Sequence, residues 1–388
     1  MKIFTNYAQF FYSRLIGFVH HPNSLSELSL LIKKAKQENT PIRIIGNSHT
    51  LNSSNIPRNN EVIVSLSRLN TIKIIDHSSA LVGAGRDLRS LQYYLNSQKL
   101  DIPIINGGKA SPTLGGFISA GGIGKTEDFN TIGRSELYGG FWQNVIEITY
   151  LDGRGKIFTI DTSSDLFLWF FGSLGQFGVV VEAKIKLIPS TTFSTANVIF
   201  DSEVFESQSL ETSCLDYHAN TNRTLWVSVF SQKSQLDQVW DLLYNWVATY
   251  SDFVLPVSDA RWAGPIYQGR PIGYLYNVSS DSPNPPLVYF YPGNFCVLGI
   301  AFSFITGDSL LNSKLSSALQ ILYSQVIDAG FLLYPSVENI CMSYSFDSYY
   351  PPLVASKARS IRNMAHCTNF LNIGWLENQI NDPDLVSI

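Results

Sequence analysis

The chain has 388 residues, 45% hydrophobic and 15% charged, with a net charge of −4. At roughly 100–200 residues per domain this predicts two or three folded domains and excludes a disordered chain. Lys and Arg number 27 against 31 acidic residues, and no basic block occurs, so no nucleic-acid partner is expected. Cys214, Cys296, Cys341 and Cys367 are scattered without CxxC or paired-histidine spacing, which argues against a metal site and a disulfide framework. Residues 1–22 are broken by Thr5, Asn6, Gln9, Ser13 and Arg14 and lack a continuous apolar core for a leader; no run of about 18 apolar residues occurs. The expectation is a cytoplasmic protein without a membrane span. Aromatic residues make up 13% of the chain, which fits either a large apolar ligand pocket or aromatic core packing.

In chain order, residues 24–39 place Leu25, Leu28, Leu31 and Ile32 at helical intervals behind Ser24, with Glu27 three residues on: a capping-box helix. Residues 41–45, 61–66, 71–75 and 80–84 read as short strands, residues 76–79 as a turn and residues 88–98 as a helix. Residues 107–124 then hold seven glycines in eighteen positions. Glycine costs about 0.5–1 kcal/mol in regular structure, so this density predicts backbone approaching a ligand, or else a tight loop, rather than packing. Residues 144–151 and 156–160 form a predicted hairpin around Asp152-Gly153-Arg154-Gly155. Residues 165–171 read as helical, and residues 179–187 as a strand. No Rossmann fingerprint or P-loop occurs in this half. Beyond residue 190, strands at 225–229 and 295–304 alternate with helices at 234–250 and 312–330, around a loop-rich stretch at 261–292, and a last helical piece covers 359–363. That order predicts a second α+β unit with an antiparallel sheet.

Residues 41–50 (PIRIIGNSHT), 64–69 (VSLSRL), 82–85 (VGAG), 113–124 (TLGGFISAGGIG), 165–167 (DLF) and 172–180 (GSLGQFGVV) follow one another across residues 18–190. In this order and spacing they resemble the flavin-binding domain of the vanillyl-alcohol oxidase / p-cresol methylhydroxylase (PCMH) superfamily. The resemblance is greatest to cytokinin dehydrogenases and their bacterial relatives. It implies an α+β fold, with a two-lobed PCMH-type FAD-binding domain at 1–190. An α+β substrate cap with an antiparallel sheet would follow at 191–340, and a C-terminal segment at 341–388 would pack back near the first domain.

The same resemblance implies that Gly46, Asn47, Ser48, His49 and Thr50 meet the dinucleotide from one side. Thr113, Gly115, Gly116, Ser119, Gly121, Gly122 and Gly124 would line the other, with Val179 and Val180 near the adenine end. His49 stands where many members attach FAD covalently, through an imidazole nitrogen and the flavin 8α carbon. Without the resemblance it reads as a turn histidine. Ser48 replaces the glycine that commonly precedes that histidine, which leaves both covalent and noncovalent FAD open.

Two further departures bear on the chemistry. The aspartate that takes the substrate proton in cytokinin dehydrogenases corresponds here to Gly108. Residues 125–137 resemble an insertion whose Glu127, Asp128, Arg134 and Glu136 are either within reach of the site or part of a solvated loop; Glu127, Asp128 and Glu136 are the candidate bases. His218, His366, Tyr267, Tyr274, Tyr276 and Tyr289 lie in the expected cap or beyond it, with a structural role as the alternative. The expected function is an FAD-dependent oxidase or dehydrogenase, with a small-molecule substrate and oxygen or another carrier as electron acceptor. It would move a hydride from a C–H next to N or O of a small, partly apolar alcohol or amine to flavin N5, one option being a tailoring step. The alternatives are a sugar- or alditol-type oxidase, which would need several polar side chains converging on the pocket, and a catalytically impaired flavin-fold binding protein.

Overall fold

The computed structural model describes residues 4–5, 11–13, 18–50, 52–58, 60–106, 111–124, 134–190, 222–258, 264–280, 283–306, 308–335, 344–372, 375–377 and 386–387. Strand β1 (Val19–His20), helix α1 (Leu25–Gln37), β2 (Ile42–Ile45) and β3 (Val62–Ser65) build a parallel sheet in the order β1-β3-β2. The α1 cap is the one expected at Ser24, whose Oγ accepts from the Glu27 N–H at 3.2 Å. Glu27 reaches one residue further back than a capping box requires, accepting from the Asn23 N–H at 2.8 Å. Leu28, Ile32 and Ala35, spaced by four and three, are the buried stripe of this helix.

A second, antiparallel sheet comprises β4 (Ile72–Asp76), β5 (Ser79–Gly83), β6 (Val145–Leu151), β7 (Ile157–Asp161) and β8 (Val179–Lys186), in the order β7-β6-β8-β5-β4. The β6–β7 hairpin forms as expected, because Asp152 accepts from the N–H groups of Arg154 and Lys156, both at 2.9 Å, and closes the turn. Between β5 and β6 lie α2 (Leu88–Ser97), α3 (Leu114–Ala120) and α4 (Arg134–Tyr138). Residues 165–171, expected to be helical, contain a single 3-10 turn at Phe167–Phe170.

Helix α3 lies inside residues 107–124, the stretch expected to bring backbone up to a ligand or to form a tight loop. The Thr113 hydroxyl accepts from the Gly116 N–H at 3.2 Å and starts a helix despite two glycines in it. Gly115, and Gly121 after the helix, also serve packing, contrary to expectation. A Cβ on Gly115 would lie 2.9 Å from the Ala84 Cβ, so its absence lets α3 settle on β5. Gly121 ends the helix at φ +68°, and a Cβ there would come within 2.2 Å of Val288 Cγ2.

The second half contains β9 (Asn222–Ser231), α5 (Leu236–Thr249), β10 (Leu255–Pro256), β11 (Gly273–Val278), β12 (Phe295–Ile305), α6 (Ser309–Asp328) and β13 (Leu332–Leu333). Its sheet runs β10-β12-β9-β13, and β11 also pairs with β12. All pairings are antiparallel, so the α+β expectation holds for this half. Strand β11 is a correction to the loop-rich reading of residues 261–292. Its Gly-Tyr-Leu-Tyr-Asn-Val sequence sits among prolines and glycines that hid the alternation.

Helix α7 (Pro352–Met364) is longer than the piece expected at 359–363. The segment after it returns to the first sheet: the Ile42 N–H donates to the Phe370 carbonyl at 2.7 Å. Asn372 accepts from the Ile44 N–H at 2.7 Å and donates to the Gly175 carbonyl at 2.9 Å. Among the described residues no helix is long and apolar enough to cross a membrane.

Candidate functional site

The turn after β2 and the stretch before α3 come together from opposite ends of the first half. Ser48 has φ +56°, in the left-handed region that favours glycine. This turn presents His49, whose Nε2 accepts from the Ser111 N–H at 3.1 Å. The Asn47 amide donates to the Ser111 carbonyl at 2.9 Å. Gly46 lies so close to Thr113 that a Cβ would come within 2.7 Å of its hydroxyl.

Residues 111–115 are in turn zipped to 84–88. The Leu114 N–H donates to the Arg86 carbonyl at 2.8 Å, and the Gly115 N–H to the Ala84 carbonyl at 2.8 Å. Asp87 caps α2, accepting from the Ser90 N–H at 2.8 Å, and the same carboxylate accepts from the Ser111 hydroxyl at 2.6 Å. Asp87 and Ser111 therefore hold the His49 loop against α2 and α3. Neither was singled out in the sequence; an aspartate just before the first apolar residue of a helix was the available signal.

Burial holds the His49 imidazole at about 4, well below its ordinary 6.5; the Asp87 carboxylate opposes this and the Arg89 guanidinium adds to it. His49 is therefore neutral at physiological pH, the form in which an imidazole nitrogen is nucleophilic. Arg89 places a cation beside the loop, a feature the sequence reading lacked. Thr50 donates to Asn52 Oδ1 at 2.8 Å, and the buried Asn52 amide donates to the Pro335 carbonyl at 2.6 Å. That bond ties the His49 turn to the second half.

The other expected cofactor residues have mixed surroundings. Gly116 is exposed, and a Cβ on it would meet only the Thr113 hydroxyl, at 3.0 Å. Ser119 accepts from the Leu174 N–H at 2.9 Å, binding α3 to the 172–178 loop. A Cβ on Gly122 would lie 2.3 Å from the Phe117 ring, and one on Gly124 3.1 Å from Ile104. Val179 and Val180 are buried in the middle of the antiparallel sheet. Thr113, Gly116 and the 46–50 turn thus form one cluster; Gly121, Gly122 and Gly124 follow at the far end of α3. Replacing Gly116 by Val is expected to leave the unfolding midpoint nearly unchanged while weakening FAD binding at least about tenfold. Gly121→Ala should instead cost about 1–3 kcal/mol in urea unfolding, because its backbone and its neighbour both exclude a side chain.

Glu136 is exposed and accepts from the Asn277 amide at 3.4 Å. Glu127, Asp128, Gly108 and His218 lie outside the described residues. Arg134 is itself a correction to the solvated-loop reading of residues 125–137. It is 1% exposed, donates to Asp101 Oδ2 at 2.9 Å and to the Ile102 carbonyl at 2.7 Å, and pins α4 to residues 101–102. Many of the aromatic residues pack in the core. Phe230, Tyr289 and Phe295 pack together, and a groove of about 660 Å³ lies among Trp169, Pro286, Phe290, Tyr291 and Leu353. That groove includes none of the residues assigned to the cofactor.

The residues present fit a flavin dinucleotide: a neutral buried imidazole, hydroxyl and N–H donors from two loops, an open glycine at α3 and a neighbouring cation. Comparison with known proteins agrees. Residues 17–161 match the family model described as FAD binding domain. D-arabinono-1,4-lactone oxidase of Candida glabrata is 26% identical over 223 residues, 54% of this chain and 40% of that protein. Cytokinin dehydrogenase 3 of Arabidopsis thaliana is 29% identical over 173 residues, 43% of this chain and 32% of that protein. D-lactate dehydrogenase of Archaeoglobus fulgidus is 26% identical over 178 residues, 43% of this chain and 38% of that protein. The chain thus spans well under half the length of these relatives. Residues 17–161 thus carry an FAD-binding domain, FAD is the cofactor, and the chain is similar to FAD-linked proteins that include cytokinin dehydrogenase 3.

Proposed function

We propose that the protein is an FAD-dependent oxidoreductase that removes a hydride from a C–H bond next to oxygen or nitrogen of a small molecule. The observation that carries this reading is the neutral His49 imidazole, held by the Ser111 N–H at the junction of the two cofactor loops. In this reading the parallel and antiparallel sheets are the two lobes that enclose the cofactor, within a domain at 1–190. The sheet of the second half belongs to a substrate cap at 191–340, and residues 341–388 return to the first domain.

When bound, FAD supplies the hydride acceptor, N5 of its ring system. The protein's part is to hold and shield it. Ser48, Thr50 and Thr113 offer hydroxyls, and Asn47 and Ser111 brace the loops. His49 is the side chain that would bind the flavin covalently, and oxygen or a second carrier would receive the electrons. The relatives' printed names, lactone oxidase, cytokinin dehydrogenase and lactate dehydrogenase, support a C–H next to oxygen or nitrogen as the bond attacked.

The test is a visible spectrum of the purified protein, followed by anaerobic addition of candidate alcohols, amines and hydroxy-lactones. A flavin band near one equivalent per chain, bleached by at least one compound, is the expected result. A colourless protein that takes up no added FAD would defeat the reading.

A further inference from the structure

Three stretches of chain far apart in sequence wall the groove of about 660 Å³: the 3-10 turn at Phe167–Phe170, the loop at 283–293 and the start of α7. In the turn, Phe167 and Phe170 are buried, while Trp169 is half-buried and lines the groove. The loop is braced by its own hydrogen bonds. The Val288 and Tyr289 N–H groups both donate to the Pro285 carbonyl, at 2.9 and 3.0 Å, and the Asn284 amide donates to the Tyr291 and Gly293 carbonyls at 3.1 and 2.9 Å. The Tyr350 hydroxyl donates to the Leu287 carbonyl at 2.9 Å and ties the loop to the residues just before α7. On α7, Leu353 and Lys357 are four residues apart and share a face.

The polar groups around this groove are unbalanced toward donors. Tyr289 is 2% exposed and its ring stacks on Phe295 with centroids 4.3 Å apart, yet its hydroxyl forms no hydrogen bond with any described residue. The Trp169 indole N–H likewise has no acceptor among the described residues, and the exposed Lys357 forms no ion pair with them. Asn284, 7% exposed, keeps its Oδ1 buried without a donor, so the groove is incompletely satisfied on its own. No described residue lining it is acidic. Indole and ammonium groups only donate, so together with a phenol they suit an acceptor-rich anion such as a carboxylate. Burial, with smaller effects of Tyr291 and Cys296, pushes the Tyr289 phenol up to about 12, so it keeps its proton at physiological pH. The remaining wall is apolar and flat, from Pro286, Phe290 and Tyr291, which suits a planar ring. The volume falls within the roughly 300–1,000 Å³ of small-molecule sites.

We propose that this groove is a binding site for a small aromatic acid, its carboxylate meeting Lys357 and the Tyr289 hydroxyl and its ring lying against Trp169. None of the residues assigned to the cofactor lines the groove, and the inference does not depend on the oxidoreductase reading. A neutral ring would leave the cation without a partner, and an aliphatic acid would leave the aromatic wall uncovered. Because the first half, the 283–293 loop and α7 each supply a wall, an occupant joins all three and stabilises the folded chain by mass action.

The experiment is calorimetric titration of the purified full chain, of Lys357→Gln and of Tyr289→Phe with 4-hydroxybenzoate, phenylacetate and indole-3-acetate. 4-Hydroxybenzamide serves as the neutral control. The expected result is that at least one acid binds the parent with a Kd below about 1 mM and raises its Tm. Each variant should bind that acid at least about fivefold more weakly, while the benzamide should not distinguish the parent from Lys357→Gln. Lys357 is exposed, so Lys357→Gln should unfold at the parent's Tm in the absence of ligand, and its loss of affinity reads the lost charge alone. Failure of all three acids to bind overturns the proposal. Affinity left unchanged by Lys357→Gln or by Tyr289→Phe also does so, because the acid would then sit elsewhere on the protein.

Discussion

His49→Ala is expected to abolish acid-stable flavin while leaving the protein folded and able to bind FAD reversibly. In the parent, precipitation with acid should carry the yellow colour into the pellet; in the variant the colour should move to the supernatant. The loop donors remain in the variant: Ser48, Thr50, Ser111 and Thr113 all lie outside the substituted side chain, and Asp87 still anchors Ser111 at 2.6 Å. What is lost is a nucleophile already in its neutral form. With the imidazole at about 4, attachment should proceed at an almost constant rate from pH 8 down to about pH 5, where an ordinary histidine would be mostly protonated. The same depression links His49 to stability in flavin-free protein. The unfolded chain takes up the proton near 6.5 and the folded one only near 4, so stability is greatest above pH 6.5 and declines as pH falls toward 4. The contribution is on the order of 3 kcal/mol, and His49→Ala should lack it. Urea unfolding at pH 7 and pH 4.5 measures both proteins; parallel pH dependence in the two would show that His49 is not the group responsible. Colour that leaves the parent on acid treatment would overturn covalent attachment and leave FAD binding intact.

Asp101→Ala should be strongly destabilising although it lies outside the apolar core. Asp101 and Arg134 are each 2% exposed at the side chain, and the carboxylate also receives the Ile102 N–H at 2.8 Å and the Gln92 amide at 3.1 Å. Removing the carboxylate takes from the buried guanidinium the anion that faces it, at a cost of about 3–5 kcal/mol. That is a large part of the roughly 5–15 kcal/mol that holds a domain together. Because the desolvation of both ions is the larger part of the problem, Asp101→Ala combined with Arg134→Met should recover most of the loss. Urea midpoints of the two variants test this. A loss under about 1 kcal/mol in the single variant, or a double variant no better than the single one, would show that the pair is not the clamp holding α4.

Regular elements were legible where the chain supplied a local signal. The Ser24 cap, the β-branched runs of the first sheets and the Asp152 turn are short-range arrangements in which a side chain acts on backbone within four residues. Helix α3 was not, because glycine opposes a helix on its own. The packing that favours it comes from Ala84 and Val180, far away in sequence. Strand β11 was masked for a similar reason: its tyrosines gain their places from Gly299 and Ser228 of neighbouring strands.

By itself the sequence determined the ordered glycine and hydroxyl motifs and the position of His49, since these are properties of composition and spacing. By resemblance alone, Gly108 corresponds to the position of the proton-accepting aspartate of cytokinin dehydrogenases. Tertiary structure decided the surroundings of those residues. That Ser111 meets His49 from 62 positions away, that burial keeps the imidazole neutral, and that Arg134 is clamped rather than solvated all depend on what surrounds each group. The physical reason is that protonation and ion pairing are set by desolvation and by charges within a few ångströms, and a linear sequence does not specify those distances.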